Sequence, residues 1–136
     1  RDLRGGVVRE TAMSQQGFRD MWTILHALDD RTAPDLSPAE IIARARSGDA
    51  IAGEAISLTT LWLADMAADI ALIMNATSGI YLAGALMDLI GDAFDADVFA
   101  TRFTDNPAFG RFLGRIPVWR TAAPDMELIG LATLFD

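Results

Sequence analysis

The spacing of apolar residues predicts a chain built mainly from helices. Between Ser14 and Leu28 apolar side chains recur every three or four positions, the period of a helix buried on one face. These side chains are Phe18, Met21, Trp22, Leu25 and Leu28. Ser14 is the expected N-cap. His26 falls on the opposite face with Arg19 and Thr23, where we expect a solvated side chain.

Two further helices are marked by residues that favour helix ends. In "SPAEIIARARSG" Ser37 can cap a helix, Glu40 can complete a capping box, and Gly48 can close the C-terminus. Asp49 then caps the longest predicted helix, Ala50 to Asn75. These signals predict structure and say nothing about function.

The longest helix carries seven apolar residues at helical spacing, which predicts its buried face. They are Ile51, Ala55, Leu58, Trp62, Met66, Ile70 and Ile73. Leu61, Leu63 and Leu72 widen this stripe, so we expect burial on more than one side. Asp65 and Asp69 are four residues apart on one face. Since no His or third carboxylate joins them, we interpret the pair as a solvated edge rather than a metal or acid–base site.

The second half of the chain predicts short strands between short helices. "IYLAG" follows a turn and is apolar on both faces, which favours a buried parallel strand, and "IPVWRT" predicts a second one. Helices are expected over 86–94, over 97–103, from Asn106-Pro107 with Phe109, Phe112 and Leu113 inward, and over 126–135. Two buried strands leave backbone groups unpaired, so the sheet is expected to be incomplete within this chain. The pattern predicts one helix-dominated α/β domain over 1–136.

The composition of the chain excludes several classes of binding partner and site. The net charge of −8 argues against nucleic acid and anionic membranes, and the absence of cysteine excludes disulfides and thiolate metal sites. No uninterrupted apolar run reaches the ~18 residues of a transmembrane helix. The nearest candidate, Ile51 to Met74, contains Glu54, Asp65 and Asp69. The chain opens with Arg1 rather than Met, and we expect a truncated piece of a longer protein.

Small residues mark the junction between the first strand and the helix after it. Ala83-Gly84-Ala85 would let the backbone approach a neighbour closely. From the residues alone, that neighbour is either a ligand or another helix.

The order of residues around this junction resembles a known family. "GIYLAGAL", the spaced phenylalanines, "IPVW" and "ELIGLATL" resemble the C-terminal part of bacterial glucokinases, in the sugar-kinase branch of the actin-like ATPase superfamily. The matching residues there are Tyr81, Gly84, Phe94, Phe99, Phe103, Asp105, Phe109, Ile116, Pro117, Val118, Leu128 and Gly130. Upstream, "GGVVRETAMSQQGF" matches the family pattern at Gly5, Val7, Glu10, Ser14 and Gly17. The resemblance implies the C-terminal portion of an actin-like (ribonuclease H-like) ATPase lobe.

The resemblance also implies a reaction. Family members transfer the γ-phosphoryl group of ATP to the 6-hydroxyl of glucose or a related hexose, with magnesium, as cytoplasmic glycolytic enzymes. We also expect a homodimer, because the longest helix has apolar residues on more than one face and the sheet is incomplete. By this resemblance Glu10 contacts the sugar hydroxyls. Ala83, Gly84, Ala85 and Leu86 would line the adenosine pocket. The family's phosphate-binding loops and catalytic aspartate precede the region that corresponds to Arg1. We therefore expect no catalytic residue and no metal ligand in this chain, and no activity from it alone.

Several positions depart from the family pattern. Ala83 and Ala85 replace glycines, Asp88-Leu89 replaces Pro-Arg, Asn106-Pro107-Ala108 replaces Lys-Gly-Arg, and Gln15 replaces the glycine after Ser14. Each change removes backbone freedom or a cation near the expected nucleotide. The alternative is therefore a non-catalytic pseudo-kinase with a degraded nucleotide site. Such a protein would serve as a dimerisation scaffold through apolar helices such as Ile51–Met74.

Overall fold

Seven α-helices and two short strands form the described part of the chain, residues 9–121 of the computed structural model. The helices are α1 (Arg9–Ala12), α2 (Gln15–Leu28), α3 (Pro38–Arg46), α4 (Ala50–Met74), α5 (Ala85–Ile90), α6 (Ala96–Thr104) and α7 (Gly110–Leu113), and the strands are β1 (Ile80–Leu82) and β2 (Val118–Arg120). The helices predicted from Ser14, from Ser37, from Asp49 and over 97–103 are confirmed. The helix predicted over 126–135 lies outside the described residues.

The predicted helix ends are confirmed by their caps. The hydroxyl of Ser37 accepts from the Glu40 backbone N–H, and the Glu40 carboxylate accepts from the Ser37 backbone N–H at 2.8 Å. The carboxylate of Asp49 accepts from the Ala52 N–H at 3.0 Å. At the far end of α4, Asn75 adopts the left-handed conformation that closes many helices.

Helix α4 packs through its small residues, so the predicted apolar stripe is only partly correct. Its buried side chains are Ala52, Ala55, Ile56, Thr59, Thr60, Leu63, Ala64, Ala67 and Ala71. Trp62, Ile70 and Ile73 of the predicted stripe are instead 44%, 46% and 79% exposed. Alanines present little side chain, so α2, α3 and α6 can approach the α4 backbone closely.

Two hydrophobic clusters share α4. The first joins its N-terminal half to α2, α3 and Ile90, around the fully buried Phe18 and Ile41. The second joins its C-terminal half to the sheet, α6 and α7, around Phe99, Phe103 and Leu113. One long helix therefore connects the first half of the described chain to the second.

The two strands pair in parallel, as predicted, with Ile80 opposite Val118 and Leu82 opposite Arg120. No third strand pairs with them within residues 9–121. The prediction that β1 is buried on both faces is wrong, because Tyr81 is 64% exposed and stacks on Trp119 at 4.8 Å between ring centroids. The α/β, helix-dominated class with a small sheet is confirmed.

Three local predictions are wrong. His26 is buried, with its ring edge-on against Trp22 and its Nδ1 3.0 Å from the Trp22 carbonyl oxygen. Leu28, by contrast, is exposed at the end of α2. The helix predicted over 86–94 is interrupted at Gly91, whose φ is 52°.

The predicted helix after Asn106-Pro107 begins later than expected. The Asn106 carboxamide oxygen accepts from the backbone N–H groups of Ala108 and Phe109, which forms a polar turn in front of α7. Phe109 is therefore exposed rather than inward, while Leu113 is buried as predicted.

Helix α4 as a whole is long and apolar enough to cross a membrane, although its sequence contains no uninterrupted apolar run of that length. Core helices of soluble proteins pass the same test. Here one face of α4 packs against α2, α3 and α6, while Trp62, Ile70 and Ile73 are exposed.

Candidate functional site

Glu10, the residue expected to bind sugar, is the second residue of the short helix α1. The helix ends at Ala12, and α2 begins at Gln15 after a turn of two residues. The backbone that follows Glu10 therefore belongs to a tight corner between two helices. We call residues 9–18 the α1–α2 corner.

Ser14 forms two hydrogen bonds within the α1–α2 corner. Its hydroxyl donates to the Thr11 carbonyl at 3.0 Å and accepts from the Gly17 N–H at 3.0 Å. The Ser14 carbonyl accepts from the Phe18 N–H at 2.9 Å. One serine thus caps α2 and also ties its first turn to the last turn of α1.

Gly17 lies where the two helices of the corner touch. A Cβ built on Gly17 would come under 3.0 Å from the carbonyl oxygens of Thr11 and Ala12. Because both neighbours are backbone atoms, no side-chain rotation could relieve the clash. The glycine is required here by close approach of α1, not by its own φ.

The Ala83 to Leu86 junction connects β1 to α5 through one unusual residue. Gly84 has φ 103° and ψ 173°, a conformation that is essentially restricted to glycine. A Cβ built on Gly84 would meet no atom within 4 Å. Glycine is therefore needed at position 84 for its backbone conformation. Close packing of the strand against the helix does not explain this glycine.

The two alanines of the junction carry no comparable strain. Ala83 and Ala85 are exposed, and neither is among the described residues with positive φ. The alanines that replace the family's glycines at these two positions are therefore not forced into a left-handed backbone conformation. The expectation that the changes remove needed backbone freedom at the junction is wrong on this point, because the one glycine that needs its freedom, Gly84, is retained.

The α1–α2 corner and the Ala83 to Leu86 junction are in contact, although Gln15 and Ala85 are 70 residues apart in sequence. The Gln15 side-chain Nε2 lies 3.5 Å from the Ala85 carbonyl oxygen. Gln15 occupies a position where the family pattern has glycine, and no sequence pattern indicated that it reaches Ala85. The structure thus brings the segment of the expected sugar ligand next to the segment of the expected adenosine pocket.

The junction itself carries little charge. Residues 83–89 include no cation, and the exposed Asp88 lies in the first turn of α5. A cation is nonetheless nearby, since Arg120 lies opposite Leu82 and its guanidinium donates to the Gly91 carbonyl at the end of α5.

The other charged groups form surface ion pairs. Asp65 pairs with Arg102, with Nε and Oδ1 2.7 Å apart, and Arg102 also reaches Asp105. The Asp65 carboxylate is the main cause that raises the pKa of Arg102. Within the described residues no group of three His, Cys, Asp or Glu side chains could hold a metal ion. Asp65, predicted to lie on a solvated edge of the helix, is half-exposed and paired with Arg102.

A cavity of about 710 Å³ lies between the sheet and helices α6 and α7. Its lining is mostly apolar and includes Leu82, Phe99, Phe103 and Ile116. No residue of 83–86 is among its described lining residues, although Leu82, which lines the cavity, directly precedes the junction.

Comparison with known proteins identifies relatives along the whole chain. The family model described as "Glucokinase" matches residues 1–136. A "Glucokinase-like protein" from Caulobacter vibrioides is 37% identical over 132 residues, covering 96% of this chain and 40% of that protein. A "Glucokinase" from Nitrobacter hamburgensis is 33% identical over 129 residues, covering 94% of this chain and 40% of its own.

A solved structure shares the fold. The crystal structure of a glucokinase from an Antarctic psychrotroph superimposes with a TM-score of 0.79 at 25% identity, over 92% of this chain and 39% of that one. The chain thus spans about 40% of the length of the curated relatives that it matches, and the matched region is their C-terminal part.

Proposed function

Because this chain belongs to the glucokinase family, we propose that it is the C-terminal part of an enzyme that transfers the γ-phosphoryl group of ATP to the 6-hydroxyl of glucose. The observation that supports this best is the contact between Gln15 and Ala85. It brings together the two segments that the family resemblance assigns to sugar and to nucleotide. A phosphoryl transfer requires its two substrates to be held side by side.

In this proposal Glu10 is a sugar ligand. A carboxylate accepts hydrogen bonds from sugar hydroxyls, and these charge-assisted bonds are stronger than neutral ones. The rigid corner formed by Ser14 and Gly17 supports the assignment, because it fixes the backbone directly after Glu10.

The junction of Ala83, Gly84, Ala85 and Leu86 forms one wall of the adenosine pocket in this proposal. It is open, since a Cβ on Gly84 would meet nothing within 4 Å, and Ala83 and Ala85 are exposed. Residues 83–86 include no cation, so we assign the binding of the ATP phosphates and of magnesium to the rest of the parent enzyme. Magnesium, when bound, neutralises the charge that develops on the transferred phosphoryl group.

The first test concerns Glu10 in the full-length protein that contains this chain. Glu10→Gln keeps the shape of the side chain and removes its charge. We expect kcat/KM for glucose to fall about 10- to 100-fold, equivalent to ~1.4–3 kcal/mol of lost charged hydrogen bonding. KM for ATP should stay within about twofold, because a different segment forms the adenosine pocket.

The matched control for this test is Glu54→Gln, which removes a carboxylate from the exposed surface of α4. It should leave both substrates' kinetics unchanged. If Glu10→Gln behaves like Glu54→Gln, then Glu10 is not a sugar ligand and the proposed role of the corner is wrong.

The second test concerns the 136-residue chain alone, which we expect not to phosphorylate glucose. The chain matches only about 40% of the length of its relatives, and it lacks the family's phosphate loops and catalytic aspartate. A coupled assay with ATP, magnesium and glucose measures this directly. Turnover above the level of a blank preparation would show that the residues of this chain suffice for catalysis.

A second candidate function is a non-catalytic dimerisation scaffold, and one observation favours it. Trp62, Ile70, Ile73 and Met74 lie exposed along one side of α4. This apolar surface can bury itself against a second copy of the protein, and an active homodimer would use it equally well. The Glu10 test separates the two functions, since a scaffold has no glucose kinetics to lose. In either case we propose a cytoplasmic protein.

A further inference from the structure

We propose that Ser14 and Gly17 are positioning residues that hold the Glu10-bearing helix in place for the sugar. This inference rests on the proposed function of Glu10 and goes beyond it, because neither residue is expected to touch a substrate. The evidence lies in how the α1–α2 corner is tied together.

Ser14 does more than an ordinary helix cap. Its acceptor bond from the Gly17 N–H is the usual N-cap bond, but its hydroxyl hydrogen is donated out of α2 to the Thr11 carbonyl at 3.0 Å. Thr11 directly follows Glu10. The Ser14 side chain therefore ties the end of α1, and with it the backbone after Glu10, to the first turn of α2.

Ser37 provides an internal comparison for this arrangement. It also caps a helix through its hydroxyl, but its hydroxyl hydrogen is donated to the Glu40 carboxylate of the same helix, at 2.6 Å. Both serines thus make two hydrogen bonds and stabilise one helix end. Only Ser14 links its helix to the segment of Glu10.

Gly17 sets the distance between the two helices of the corner. The carbonyls of Thr11 and Ala12 occupy the space where a side chain at position 17 would begin. Adding a methyl group must push α1 away from α2. By contrast, a Cβ on Gly53, inside α4, would meet no atom within 4 Å. Gly53→Ala is therefore a matched control for Gly17→Ala.

The experiment uses the full-length protein with the variants Ser14→Ala, Ser14→Thr and Gly17→Ala and the controls Ser37→Ala and Gly53→Ala. We expect Ser14→Ala to lower kcat/KM for glucose about three- to thirtyfold, since a small displacement of a substrate ligand is costly. KM for ATP should change less than KM for glucose, since Gln15 of the corner contacts the Ala83 to Leu86 junction through its own side chain and not through Ser14. Ser14→Thr retains a hydroxyl that can make both bonds and should restore glucose kinetics.

The controls separate positioning from stability. Ser37→Ala should lower the melting temperature about as much as Ser14→Ala does, yet leave glucose kinetics unchanged. Gly17→Ala should reduce glucose kinetics at least as strongly as Ser14→Ala, while Gly53→Ala should not. Should Gly17→Ala fail to fold, the comparison of Ser14→Ala with Ser37→Ala still decides the question.

Two failures of this test are distinguishable. If Glu10→Gln impairs glucose kinetics but Ser14→Ala matches Ser37→Ala in every kinetic parameter, the positioning role is overturned while the proposed function stands. If Glu10→Gln has no effect either, the assignment of Glu10 as a sugar ligand is what failed. Equal losses for glucose and ATP in Ser14→Ala would also overturn the proposal, because they indicate a general structural defect.

Discussion

Replacing Gly84 with alanine isolates the energetic cost of one backbone conformation. Gly84 has φ 103° and ψ 173°, and no atom of residues 9–121 lies within 4 Å of a Cβ built there. We therefore expect any loss of stability in Gly84→Ala to come from the backbone conformation and not from a clash. Residues held in this region cost of order 1–3 kcal/mol unless they are glycine, so we expect a loss of about that size in the free energy of unfolding.

For the control variant, Gly53→Ala, we predict a change of the opposite sign in the free energy of unfolding. Gly53 lies in the interior of α4 without a positive φ, and its added Cβ would also meet nothing within 4 Å. Gly53→Ala should stabilise the protein by about 0.5–1 kcal/mol, because alanine loses less backbone freedom in a helix. The two variants add the same methyl group to equally open space, so only the local φ and ψ distinguish them.

A third variant, Gly84→Asn, tests whether a residue that tolerates the left-handed helical region can replace Gly84. Asn75 shows that asparagine occupies the left-handed helical region in this protein, at φ 49° and ψ 50°. Gly84 lies outside that region, so Gly84→Asn should be no more stable than Gly84→Ala. Urea denaturation followed by circular dichroism measures all three variants. If Gly84→Ala proves as stable as the parent chain, the small junction is not required by backbone conformation and our explanation of it is wrong.

Two further predictions follow from the capping box of α3 and from the exposed face of α4. The Ser37 hydroxyl and backbone N–H lower the pKa of Glu40 below its usual 4.5, so the stabilisation is complete above that pH and is lost as pH falls through the lowered value. Glu40→Gln should therefore flatten the acid limb of stability against pH in denaturation experiments, and an unchanged limb would contradict this. For α4, we expect the protein to self-associate through Trp62, Ile70 and Ile73. Sedimentation should show Ile70→Lys shifting the distribution towards monomer, whereas Ile24→Lys, an exposed isoleucine on α2, should not, and a strictly monomeric parent chain would refute the prediction.

Local sequence signals were sufficient to predict the longer helices, several of their caps and the family. Caps such as Ser37, Glu40 and Asp49 act over three residues, so their effect can be read directly from the order of side chains. The parallel pairing of the two strands also followed from their composition and from the helices between them. The family resemblance rested on spacing, and the match along residues 1–136 confirms it.

The tertiary structure alone decided which face of α4 is buried. The apolar stripe predicted burial of Trp62 and Ile70, whereas the neighbouring helices approach through alanines, because close packing rewards small residues as well as hydrophobic ones. His26 was assigned to solvent by its position on α2. It is buried in the folded protein with its ring against Trp22, and periodicity within one helix does not show which neighbours will cover a residue.

The candidate site likewise has features that could be predicted from the sequence and features that only the folded chain shows. Its residue types were readable from the sequence, but the contact between Gln15 and Ala85 spans 70 residues and depends on how α2 and α5 are arranged around α4. Likewise, the family pattern matched both Gly17 and Gly84 without distinguishing their roles, while the structure gives them different roles. Gly17 is required because α1 is close, and Gly84 because its backbone is extended at positive φ. Contacts between distant segments and individual backbone angles are properties of the folded chain, and no local pattern specifies them.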